Sequence, residues 1–440
     1  MGTPQISSIY DASRRRNRSS SFSSHTNLSS RCTSVSYDPS NCLSGGSLSP
    51  SGSESFPLPP PTSTLGSLSN FIGIMKSTDV PGPYFLKRAH EGKYLGRGAQ
   101  FQVYGQCHGI DGGKTSYVID QPYLDHVKKL WKRRYLDPSI DVAVKRTLFT
   151  LPVSDQNLDR TKLPLGFGSP DQLHNFRLEV LALCHNPLRN HRNIIKILGW
   201  GLDFDPQPNG TCMNPISPIL IVERANCTLR DLVVGTRKKG LPIAIRRKLC
   251  LDVCNAVSVL HDSAIIHGDI KTDNVLVFPA ERNELGCVAK ISDFGLSIQE
   301  EEAKGGSTRC DSDIGTPGWQ APELRRDIPV NELARCDYFS LGLLVWSVIS
   351  SDGGCPLKGG ARAEDALDMA TLFLQSSELP EYLKTKIKAV VLSLLQIMPQ
   401  DRDSNLQDVS KNLSLDSTDV HSIDTDWYIS PLVVLNIISI

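Results

Sequence analysis

HGDIKTDNVLVF, residues 267–278, and KISDFGLS, residues 290–297, decide how this chain is read. The first places an acid-bearing loop ahead of a short apolar run, and the second puts another acid before Phe-Gly. Asp269, Lys271 and Asn274 follow the pattern D-x-K-x-x-N, and Asp293 opens Asp-Phe-Gly. In-line phosphoryl transfer needs a carboxylate to orient a hydroxyl and a lysine to neutralise the moving group. It also needs an amide oxygen and a second carboxylate to hold metal ions. His267 reads as a packed histidine that holds loop geometry rather than as a base.

Upstream, VAVKR (142–146) is a buried strand that ends in one charge, Lys145. A lysine in an apolar run is costly unless paired. Glu179 in NFRLEVLAL (175–183) is the candidate partner, on a helix whose face carries Phe176, Val180 and Leu183. YLGRGAQFQVYGQ (94–106) reads as strand, turn, strand, with Gly96 and Gly98 leaving the backbone open to phosphate oxygens. Residues 191–202 and 218–233 each bring a further strand, the second followed by a polar connector and a helix start. Residues 245–264 have helical periodicity. Downstream, GTPGW carries Thr316, and Ala-Pro-Glu323 calls for a buried cation, for which Arg402 is the candidate. Asp337 is expected to open an apolar helix running through Ser350, where it would also meet the helix dipole. Further helices are expected at 363–375 and 381–397.

Taken in order, these motifs resemble those of eukaryotic protein kinases of the serine/threonine type, and the likeness covers residues 85–413. The resemblance implies an α+β, bilobal fold: a small β-rich lobe with one main helix over a larger helical lobe, with ATP in the cleft. It implies that Asp269 is the catalytic base, that Lys271 stabilises the transferred group, and that Asn274 and Asp293 coordinate Mg2+. Lys145 and Glu179 would position the α- and β-phosphates, under Gly96 and Gly98. Val103, Ala143 and Leu276 would cover the adenine faces, the backbone of Glu223 and Ala225 its edge, and Val222 would line the back. Thr316 would bridge Asp269 and Lys271, and Asp337 would anchor the catalytic-loop backbone. The partners implied are ATP and protein substrates bearing serine or threonine hydroxyls. Two positions depart from the family pattern. Phe101 stands at the third glycine of G-x-G-x-x-G-x-V, and Gly268 replaces the arginine of His-Arg-Asp. That arginine pairs with a phosphorylated activation segment, so a weak dependence on such phosphorylation is expected. A nucleotide-responsive pseudokinase scaffold and a small-molecule kinase are the competing readings. No G-x-x-x-x-G-K-[ST] sequence supports a P-loop ATPase.

The composition fits this reading. Among 440 residues, 47 basic and 47 acidic side chains balance, so no global basic field gathers nucleic acid or anionic lipid. Twelve cysteines without paired C-x-x-C spacing point to reduced thiols in the cytosol or nucleus. Cys250 and Cys254 read as buried thiols. Residues 1–80, rich in serine, glycine and proline, are expected to be disordered. The kinase domain is expected at 84–413, with its small lobe at 84–223, its large lobe at 226–413, and insertions near 107–140 and 148–171. A tail follows at 414–440, whose apolar end, 431–440, is about half the length needed to span a bilayer.

Overall fold

The branched runs upstream of the 224–226 connector pair into one sheet. The computed structural model describes residues 65–87, 92–105, 141–151, 168–204, 216–236, 240–280, 285–299, 315–325, 329–357, 361–402 and 405–416. Six strands make the sheet: β1 (Tyr84–Lys87), β2 (Lys93–Arg97), β3 (Phe101–Gly105), β4 (Val142–Thr147), β5 (Ile197–Phe204) and β6 (Ile216–Glu223). Their order is β1-β5-β6-β4-β3-β2, antiparallel except where β1 meets β5. β4 and β6 lie in the middle, and near-continuous burial suits their apolar runs. β1 approaches β5 closely because residue 201 is glycine. A Cβ there would lie 1.9 Å from the Tyr84 carbonyl oxygen.

Two helices back this sheet. In α1 (Leu68–Lys76), Ser67 caps the start by accepting a hydrogen bond from the Asn70 amide at 3.3 Å. Leu68, Phe71, Ile74 and Met75 are buried. This corrects the expectation of disorder through residue 80 and of a domain starting at 84. The spacing of Leu68, Phe71 and Met75 gives one apolar face, and the sheet's back supplies the surface that repays ordering it. α2 (Pro170–Cys184) begins with Pro170 and a reciprocal capping box between Ser169 and Gln172. Residues 176–183 are all buried. A short helix, α3 (Asn186–Arg189), follows. The second insertion is narrower than expected: Leu151 already bridges to Ile216, and Pro170 is already helical. Residues 107–140, like the N-terminal and C-terminal stretches, lie outside the described residues.

The large lobe adds β7 (Cys227–Thr228), α4 (Leu229–Gly235), α5 (Ile243–Asp262), β8 (Ile265–Ile266), β9 (Val275–Pro279), β10 (Cys287–Ile291) and β11 (Ile298–Gln299). It continues with α6 (Val330–Ile349), α7 (Ala366–Ser376), α8 (Glu381–Leu394) and α9 (Leu406–Leu413). The sheets β10-β9-β7 and β11-β8 carry the loops of interest on the helical base. From Cys336 to Ile349 every residue of α6 is buried, as in a core helix. It starts at Val330, so Asp337 sits two turns inside it, not at its N-terminus. The expected interaction with the helix dipole is therefore corrected, since that effect fades beyond the first turn. Arg402, fully buried, pairs with both oxygens of Glu323. Its other N–H groups donate to the carbonyls of Gln396, Ile397 and Arg335, which satisfies a cation that burial would otherwise penalise. Cys250 and Cys254 are buried; burial pushes the Cys254 thiol up to about 12 and raises that of Cys250 further. Among the described residues no helix is long and apolar enough to cross a membrane.

Candidate active site

The loop after β8 is fixed by one buried carboxylate. Asp337 accepts from the His267 amide at 2.7 Å, the Gly268 amide at 2.9 Å and the His261 ring at 2.9 Å. Burial pushes its pKa up, but the hydrogen bond from His261 and the proximity of both histidines outweigh that and hold it below the ordinary carboxylate range. Gly268 has φ +76°, a left-handed conformation that costs a glycine nothing. His267 is fully buried. Its Nδ1 lies 3.2 Å from the Asp269 amide, so it accepts, and its Nε2–H donates to the Ser292 carbonyl at 3.2 Å. Both nitrogens are thus spent on geometry.

Asp269 is held from all sides by that loop. Thr316 Oγ1 donates to its Oδ1 at 2.7 Å, and Lys271 Nζ reaches its Oδ2 at 2.5 Å and Thr316 Oγ1 at 2.5 Å. Asn274 Nδ2 donates to the Asp269 carbonyl and to Oδ2, both at 2.9 Å. The amide's two protons are therefore engaged, and its carbonyl oxygen is left over. The Asn274 main-chain carbonyl accepts from both the amide and the hydroxyl of Ser292, tying this loop to the residue between β10 and Asp293.

From the small lobe, Lys145 of β4 forms an ion pair with Glu179 of α2. The second oxygen of Glu179 accepts from the Phe294 amide. One fully buried carboxylate thus joins the strand lysine to Asp-Phe-Gly. Burial disfavours the Lys145 ammonium, yet the Glu179 and Asp293 carboxylates prevail and its pKa is raised. The Phe294 ring packs 5.3 Å from the His267 ring. Asp293 sits at φ 68°, a strained position that its neighbours hold. Its carboxylate accepts no hydrogen bond from the described residues. Its carboxylate and the Asn274 side-chain carbonyl are both hard oxygen donors, the kind of ligand Mg2+ takes. Among the described residues no group of three His, Cys, Asp or Glu side chains could hold a metal alone. A cation here would therefore draw its other ligands from water and phosphate.

The remaining expected residues lie on β2, β3, β4, β6 and β9, in the turn between β2 and β3, and on the connector after β6. At Gly96 and Gly98 an added Cβ would meet nothing within 4 Å among the described residues. Val103 pairs directly with Lys145 across β3 and β4, while Ala143 pairs with Val222. Val103 and Leu276 are half-buried, and Ala143 and Val222 are buried. Glu223 donates its amide to the Lys196 carbonyl at 3.1 Å. Its side chain pairs with Lys290 at 2.6 Å. Ala225, half-buried, lies in the connector between β6 and β7. Phe101 and Gln100 turn inward beneath the hairpin; Gln100 Oε1 is buried without a hydrogen-bond partner. Sequence reasoning missed the structural parts played by His261, Lys290 and Phe101. For Lys290 the signal was a lysine inside an apolar strand; for His261 and Phe101 nothing local gave their contacts.

Residues 172–413, more than half of the chain, match the protein kinase domain family. The chain is 37% identical over 210 residues to the dual specificity testis-specific protein kinase 2 of Mus musculus, covering 46% of this chain and 35% of that one. It is also 37% identical over 183 residues to the Homo sapiens protein of the same name, covering 40% and 31%. Against the dual serine/threonine and tyrosine protein kinase of Xenopus laevis it is 30% identical over 187 residues, covering 42% and 18%. The chain thus spans about a third or less of the length of these relatives.

Proposed function

The chain belongs to the protein kinase family, and from that premise we propose that it transfers the γ-phosphoryl group of MgATP to serine and threonine hydroxyls of protein substrates. One observation carries the hydroxyl preference: Thr316 Oγ1 stands between Asp269 Oδ1 and Lys271 Nζ. A small alcohol is thus already seated between a carboxylate acceptor and an ammonium, the pair a substrate hydroxyl would use.

In this reading Asp269 orients the attacking hydroxyl and takes its proton as the phosphorus–oxygen bond forms. Lys271 offsets charge on the equatorial oxygens, at a donor position preorganised by Thr316 and Asp269. Lys145, kept charged and aimed by Glu179, holds the α- and β-phosphates beneath Gly96 and Gly98. Val103, Ala143 and Leu276 cover the adenine, and the Glu223 carbonyl and Ala225 backbone bind its edge. Asn274 and Asp293 would hold Mg2+, which when bound neutralises the phosphate oxygens. Gly268 makes this a catalytic loop without the arginine that reads a phosphorylated activation segment.

The test compares the intact chain with Asp269→Asn, using labelled MgATP and separate serine, threonine and tyrosine peptide pools. Transfer to the serine and threonine pools is expected, with a fall of about 10²- to 10⁴-fold in the variant. Equal, negligible transfer by both proteins supports the scaffold reading instead. The relatives are named for dual specificity, and transfer to the tyrosine pool at a similar rate would replace the narrower preference with theirs.

A further inference from the structure

The family pattern has a glycine where this chain has Phe101, and that side chain is 3% exposed. It points down from the hairpin, on the face it shares with Val103 and Lys145. Val103 lies opposite Lys145, and Phe101 is the diagonal neighbour, a spacing an aromatic ring can cover. The Lys145 ammonium sits over the Phe101 ring, 4.4 Å from its centroid. The same ring lies 5.9 Å from Phe176 in an edge-to-face arrangement. Phe176 is three residues before Glu179 on α2, so the two occupy adjacent turns of one face. Phe71 of α1, at 5.5 Å, and Phe149, at 5.8 Å, close the other sides of Phe176.

We propose that Phe101 is a positioning residue: its ring holds the Lys145–Glu179 pair closed from beneath the glycine hairpin, touching the lysine directly and the glutamate through Phe176. The kinetic side of this rests on the kinase reading above; the geometric side does not. An ammonium over a ring face gains electrostatic attraction that grows when water is excluded. The ring is itself buried and lies directly against the ammonium. A side chain in place of the glycine thus replaces hairpin freedom with a fixed lysine. The hairpin is anchored to match. The Gly98 amide donates to the Phe101 carbonyl at 2.9 Å, and the Leu148 amide donates to the Gln100 carbonyl at 2.9 Å. Restoring the family glycine should therefore harm the site.

The experiment uses the full chain with Phe101→Gly and Phe101→Leu. Leucine keeps most of the volume but has no π face, so it preserves the fold if glycine does not. Two quantities are read. The first is the KM for MgATP, expected to rise about three- to tenfold in both variants, with the peptide KM unchanged. Partial unfolding would lower the active fraction and apparent kcat but leave KM in place. The second is the acetylation rate of Lys145 by acetic anhydride, followed by mass spectrometry, expected to rise at least threefold in both. Wild-type KM and wild-type acetylation in Phe101→Leu overturn the proposal. If no protein transfers phosphate yet acetylation rises, the kinase reading fails and the positioning role stands. If the variants transfer phosphate with unchanged KM and protection, the reverse holds.

Discussion

The two halves of the cleft are fixed by different physics. The large-lobe loop hangs on hydrogen bonds to one carboxylate, Asp337, and on the ring of contacts around Asp269. The small-lobe pair, Lys145 and Glu179, is framed instead by rings: Phe71, Phe101 and Phe149 around Phe176, with Trp200 edge-on to Phe71 at 5.5 Å. Directional bonds tolerate no substitution that leaves a buried group unpaired. Aromatic packing yields more gradually, because each ring supplies only part of a shared contact. The difference predicts how each half breaks.

Asp337→Ala should have the largest effect. It strands the buried His267 amide, the half-buried Gly268 amide and the His261 ring, a loss of about 3–5 kcal/mol for a buried charge network. Phosphate transfer should fall at least about 100-fold, since the backbone that aims Asp269 loses its anchor. Thermal unfolding and peptide kinetics measure the two parts, and a variant with wild-type melting and turnover would show that the loop holds itself. The ionisations divide the halves as well. The depressed pKa of Asp337 means its contribution is fully present above about pH 4 and is lost as pH falls through the folded value. The raised pKa of Lys145 means its contribution is fully present below about pH 10 and is lost as pH rises through the folded value. Acid should loosen the loop, and alkali the pair.

Phe71→Ala comes next. The ring is fully buried, and emptying such a site costs about 3–5 kcal/mol when the surroundings cannot collapse. If α1 opens locally while the large lobe stays folded, the global effect is capped by the free energy that docks it. Hydrogen exchange should quicken in 68–76 and 170–184 while 265–274 stays protected, and turnover should drop about tenfold or less. Equal quickening in both lobes would mean that the rings and the hydrogen bonds form one cooperative unit.

The same contrast explains what the sequence disclosed. Asp269, Lys271 and Asn274 lie within one short fixed pattern, whereas Thr316, 47 residues from Asp269, is placed beside them only through the family resemblance. Lys145 and Glu179 are 34 residues apart; Lys145 stands out at the end of an apolar strand, while Glu179, with Arg177 in the same run, is matched to it by the order of the motifs. The aromatic cluster had no such mark. Phe71, Phe101, Phe149 and Phe176 come from four elements, and an apolar residue does not announce its partner. α1 had a legible apolar face, but it is only nine residues long, too short to be stable alone, and stands in serine-rich surroundings. Asp337 was placed at a helix start because its helix opens with a polar turn, Asn331 and Glu332, that resembles a connector.

The smallest expected effect tests the boundary between the halves. A kinase loop with arginine at residue 268 would couple the polar network to phosphate on the activation segment. Glycine cannot form that contact, and the left-handed φ of +76° favours it over any residue with a Cβ by about 1–2 kcal/mol. Both lobes are already joined through Glu179, which reaches Lys145 on one side and the Phe294 amide on the other. The closed pair therefore needs no phosphate to assemble it. Phosphatase treatment should change turnover by less than about twofold. A large fall that tracks loss of phosphate from Ser307, Thr308 or Ser312 would mean that the segment outside the described residues supplies a cationic reader of its own. The small-lobe rings would then be insufficient to hold Lys145 against Glu179.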